Sequence, residues 1–157
     1  MVLTASVLGS EASAQKEFSI RESRAGSNIN VKAISAAFPF EKRWHELTSE
    51  QQAMFRAKYV NLGDDDEPPF PEDGMGAVSR EVRTYQNVVR VDGQLVLTVS
   101  IDEGGKPQSV FVFQSPDDKL AKAVAYAVMK INYKPARCAG KPCAMDFPFS
   151  FQFSRGF

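Results

Sequence analysis

The sequence predicts an α+β fold in which two strands, a helix and a final strand make a three-stranded antiparallel sheet with one helix packed on it. A partly helical N-terminal region precedes that unit. Three observations carry the prediction. Leu95, Leu97, Val99 and Ile101 alternate with Val96, Thr98 and Ser100, the period of a strand. Leu120, Val124, Ala127, Val128 and Ile131 recur at the spacing of one helix face. Phe147, Phe149, Phe151 and Phe153 alternate with Pro148, Ser150 and Gln152, which puts four rings on one side of a last strand.

The chain divides into four stretches. Residues 1–14 open with an apolar run to Leu8 and contain Ala12-Ser13-Ala14, the small-x-small pattern that signal peptidase accepts. They read as the tail of a secretory signal with its true start upstream, and the mature protein then begins near Gln15. A disordered N-terminus is the alternative. Residues 15–63 contain a helix near 49–62: Thr48-Ser49-Glu50-Gln51 is a capping box, Phe55, Tyr59 and Leu62 follow at helical spacing, and Gly63 stops the run. Trp44 and His45 are expected to pack against a neighbour.

Residues 64–92 read as a linker or extension. Asp64-Asp65-Asp66-Glu67 lacks the spacing of a calcium loop and reads as solvated, and Pro68, Pro69 and Pro71 stiffen the chain towards an extended form. Gly74-Met75-Gly76 has neither a third glycine nor a preceding strand, so it carries no nucleotide signal. In residues 93–157 the first strand turns through Asp102-Glu103-Gly104-Gly105-Lys106-Pro107 into a second, Ser109 to Gln114. Ser115-Pro116-Asp117-Asp118 then reads as an N-cap, a first-turn proline and acids favourable to the helix dipole. Asn132 and Pro135 end the helix. Pro148 cannot donate to a ladder, which points to an edge strand or to the first residues of a strand.

Composition narrows the function. With 43% apolar residues and 12 Phe the chain can build a core, and its formal net charge of zero comes from scattered residues. Nucleic-acid binding needs a concentrated cationic surface and is not expected. No run approaches the 18 or more apolar residues of a spanning helix. The two cysteines, Cys138 and Cys143, flank a turn at Ala139-Gly140-Lys141-Pro142. Antiparallel arms would bring them within disulfide reach, and an oxidising compartment would close the bond. Free thiols are the alternative, since the pair is a poor metal site with His45 as the only histidine. No nucleophile and base, paired carboxylates or cofactor motif stand out, so no enzyme, cofactor or metal is expected.

The last part of the chain resembles a known family. Gly93-Gln-Leu-Val-Leu-Thr-Val-Ser-Ile-Asp102-Glu-Gly-Gly-Lys106 is similar to the first strand and turn of the TonB C-terminal domain. Tyr133-Lys-Pro135-Ala136 followed by Gly140-Lys141-Pro142 resembles that family's close, and Pro68-Pro69-Phe70-Pro71 its proline-and-aromatic lead-in. The resemblance implies a periplasmic domain that binds an extended segment of an outer-membrane TonB-dependent receptor, or another envelope protein, by strand addition. The implied peptide-binding residues are Phe147, Phe149, Ser150, Phe151 and Gln152 on the edge strand, with Glu67, Pro68 and Phe70 upstream. Glu67 stands where the family often has Gln. The sequence shows no spanning helix and only a few prolines where the family carries a long arm, so unless the true start lies far upstream a TonB-like module rather than a whole transducer is implied. A structural or assembly role, with the sheet edge pairing to a second copy, is the alternative.

Overall fold

The computed structural model describes residues 17–20, 42–87 and 89–155. The proposed signal remnant, residues 1–14, lies outside them. Strand β1 is Glu17–Ile20, α1 Ser49–Arg56, β2 Phe70–Pro71 and α2 Met75–Gln86. Then follow β3 Gly93–Ile101, β4 Pro107–Gln114, α3 Asp118–Met129, β5 Tyr133–Lys134, β6 Ala136–Cys138, β7 Lys141–Cys143 and β8 Met145–Phe153.

The alternating residues of β3 make it the centre of the sheet. It pairs antiparallel with β4 on one side and with β8 on the other, Leu95 opposite Phe151, Leu97 opposite Phe149 and Val99 opposite Phe147. The three antiparallel strands are those expected. Strand β1 adds a fourth, parallel to β4 with Phe18 opposite Val110, so the order is β1-β4-β3-β8.

Helix α3 covers the face bearing Leu95, Leu97 and Val99, burying Leu120, Val124 and Val128 completely. Its cap differs from the expected Ser115: Asp117 is the N-cap, and its carboxylate accepts from the Leu120 N–H at 2.9 Å. Ser115 instead receives the Asp117 N–H, a local turn one step earlier. The hairpin loop docks under β5, where the Tyr133 N–H donates to the Gly105 carbonyl at 3.3 Å. Gly105 has φ of 80°, and a Cβ there would lie 2.1 Å from the Tyr133 oxygen, so only glycine fits.

Upstream, two elements depart from expectation. The capping box forms as predicted, Thr48 Oγ1 accepting from Gln51 N–H and Gln51 Oε1 from Thr48 N–H. The helix, however, stops at Arg56 rather than near 62, and the Lys58 and Tyr59 N–H groups close tight turns onto the Phe55 and Arg56 carbonyls. The stretch 64–92 is not a solvated linker. Glu67 and Arg137 exchange two backbone bonds of 2.8 Å, Phe70 pairs with Lys134 and Pro71 with Tyr133, so the prolines run antiparallel along residues 133–137. Pro68, Pro69 and Pro71 are buried. Helix α2 follows and packs on α3.

One apolar core joins both halves. Phe55 stacks on Phe147 at 5.2 Å, Phe70 lies 5.8 Å from Phe147, and Trp44 lies 5.5 Å from Phe70. Trp44 therefore packs as expected, whereas His45 is exposed. Phe147, Phe149 and Phe153 are buried but Phe151 only partly, so the aromatic row is core at three of its four positions.

Candidate functional site

The outer margin of β8 is one of the two borders of the sheet, β1 forming the other, and no strand among the described residues pairs with it. In an antiparallel ladder, alternate residues turn their N–H and C=O groups towards or away from the neighbour. The Asp146 carbonyl accepts the Tyr59 hydroxyl at 2.9 Å, which places it on the outer side. Pro148, two residues on, has the same orientation, so its missing N–H leaves no gap in the β3 ladder. The outward groups beyond it are the carbonyls of Pro148, Ser150 and Gln152 and the N–H groups of Ser150 and Gln152.

Tyr59 is held as a donor. It is buried, and desolvation first, then the nearby Asp146 charge, raises its phenol well above the ordinary range. Its ring sits 5.9 Å from Phe55, so the end of α1 sets its position.

A groove of about 280 Å³ runs along this margin. Residues Phe147 to Phe153 form one side, and Phe55, Lys58, Met75, Ser79, Val82 and Arg83 the other. Ser79 follows Met75 by four residues, and Val82 and Arg83 follow Ser79 by three and four, one stripe of α2. Lys58 is buried, and desolvation lowers its ammonium pKa. Arg83 is exposed.

The expected site residues separate. Ser150, Phe151 and Gln152 line the groove, and so do Phe147 and Phe149, whose rings are buried among Phe55, Phe70 and Tyr133. Glu67, Pro68 and Phe70 do not line it. Glu67 pairs with Lys134 at 2.9 Å and Phe70 is fully buried, because the upstream segment is zipped to residues 133–137. The α2 wall was missed. Its signal was Val78, Val82 and Tyr85 at helical spacing, weakened by two glycines at its start.

The cysteines close the β6–β7 hairpin as a disulfide, with Cα atoms 5.8 Å apart. Asp66 braces that hairpin: its carboxylate accepts from the Ala139 N–H at 2.9 Å and the Gly63 N–H at 3.0 Å. Arg56 donates to the Asp66 and Gly63 carbonyls, and the hydrogen bonds from Ala139 and Gly63 hold the Asp66 carboxyl below the ordinary range. Among the described residues no cluster could hold a metal ion, and no helix is long and apolar enough to cross a membrane.

The sheet β1-β4-β3-β8 with a helix packed on it is the α+β arrangement expected for this part of the chain. Residues 88–154 match the Gram-negative bacterial TonB protein C-terminal family, and this part of the chain is a TonB C-terminal-like domain. The family is one of protein-interaction domains of the cell envelope, suited to a TonB-like energy-transduction module. Searches of curated proteins and of solved structures returned no match.

Proposed function

We propose that this chain is a non-enzymatic periplasmic binding module that recognises an extended peptide of an outer-membrane TonB-dependent receptor by strand addition to β8. The observation that carries the reading is the outer margin of β8, which no strand among the described residues covers, with outward groups at Pro148, Ser150 and Gln152. Main-chain hydrogen bonds to such a border supply affinity without demanding particular side chains. The peptide contacts fall on the backbone of residues 148–152, and the upstream segment Glu67 to Phe70 supports the site from the far side of the core.

Fluorescence anisotropy of the full chain with a receptor-derived TonB-box peptide tests this. Proline at 150 and 152 removes both outward donors while sparing the β3 ladder, as Pro148 already does. The expected result is binding that Ser150→Pro with Gln152→Pro abolishes while circular dichroism stays unchanged. Binding indifferent to both substitutions would sink the reading. A dimer by light scattering that the same substitutions dissolve, with no peptide bound, would assign the border to a second copy.

A further inference from the structure

We propose that the helical wall facing β8 turns its border into a short slot, selective for an extended peptide whose carboxylate lies opposite Arg83. This rests on the strand-addition reading and adds the length and charge of the ligand. The wall residues, from Phe55 to Arg83, lie outside the 88–154 family match.

Length follows from the border. Tyr59 already occupies the Asp146 carbonyl, and Pro148 offers no N–H. An added strand can therefore pair only from Pro148 onward to Phe153, which limits it to about six residues at the rise of a β-strand.

Direction along the slot follows from α2. The helix starts beside Phe70, whose ring is 5.8 Å from Phe147, and ends shortly before Gly93, which pairs with Phe153. Met75 thus lies towards the Phe147 end and Arg83 towards the Phe153 end. Met75 and Val82 offer apolar contact to alternate ligand side chains.

Charge follows from the lining. Among the described residues the ionisable groups of the groove are Lys58 and Arg83, both cationic, with no carboxylate. Lys58 is buried and already engaged within the molecule, so the selection rests on Arg83. Arg83 is exposed and makes no ion pair among the described residues. A ligand carboxylate at the Phe153 end gains a charge-assisted bond, and a lysine there is repelled.

The test uses the full chain and blocked hexapeptides of alternating valine and threonine, carrying one terminal glutamate or glutamine, with the charge at either end. At low salt one glutamate peptide should bind about fivefold tighter than its glutamine twin, the scale of a partly exposed ion pair. Arg83→Glu should reverse that preference, and added salt should shrink it. If the twins bind alike and Arg83→Glu changes nothing, while Ser150→Pro still abolishes binding, acid selection is overturned and strand addition stands. If no peptide binds, or Ser150→Pro leaves binding intact, strand addition falls and takes this inference with it.

Discussion

Phe55 is the residue on which the two halves of the chain meet. It is 1% exposed and touches Phe147, Phe70, Trp44 and Tyr59. Removing its ring leaves a cavity bounded by other rings that cannot follow it inward. Phe55→Ala is expected to cost about 3–5 kcal/mol in urea unfolding, and a loss below about 1 kcal/mol would show that the cluster closes over the gap. Asp66 predicts a pH dependence. Its carboxyl is held below the ordinary range by the Ala139 and Gly63 N–H groups, so the folded state binds its proton less readily than the unfolded one. The stabilisation is present above the unfolded carboxylate pKa and is lost as pH falls through the lower folded value. Asp66→Asn should therefore flatten the acid limb of the urea midpoint against pH. An unchanged acid limb would remove Asp66 from the account. This role was not legible in the acidic run, because the donor at Ala139 lies 73 residues away.

At the scale of elements, legibility followed local pattern. Strands β3 and β8 and helix α3 stand where their spacing put them, since each carries a regular apolar face that is buried, and β3 buries Val96 and Thr98 on its other face as well. Helix α1 is shorter than its spacing implied. Phe55, Tyr59 and Leu62 all turn inward, yet after Arg56 they do so through tight turns, with Asn61 at φ of 60°. Helix α2 has Gly74, whose φ is 80°, at its N-cap, and its first turn contains Gly76. Its stability comes from α3 and the core rather than from propensity. The β6–β7 hairpin is cross-linked over a separation of five residues. In the chain-entropy account a loop that short stabilises by about 2 kcal/mol. Cys138→Ser with Cys143→Ser should lower stability by about that amount and leave the far-UV spectrum native, as calorimetry and circular dichroism would show. A global loss of structure would mean that the hairpin holds more than its own ends.

The whole molecule is larger than its recognisable domain. Trp44, Phe55, Phe70, Val78 and Val82 belong to the same core as β3, β8 and α3, although all five precede residue 88. A fragment beginning at residue 88 would expose Phe147, whose ring in the intact chain contacts Phe55 and Phe70. It is expected to unfold at lower urea and bind a hydrophobic dye, while the full chain does neither. A fragment as stable as the full chain would mean two independent units. The groove depends on the same union, because β8 supplies one wall and residues 55–83 the other.

Alternation, capping and helical spacing are local properties of the sequence. By themselves they determined the β-β-α-β order, the place of the last strand at a sheet border and the capping box of α1, while the motifs around Gly93–Lys106 and Tyr133–Pro142 carried the resemblance that the family match bears out. They also brought the cysteines to a turn where a bond could close. The tertiary structure alone decided that the proline segment is zipped to residues 133–137, that α2 exists, that Tyr59 occupies the Asp146 carbonyl and that Arg83 faces the border. Each of these joins residues distant in the chain, and such contacts form only when long-range packing offsets the entropy of closing the loops between them.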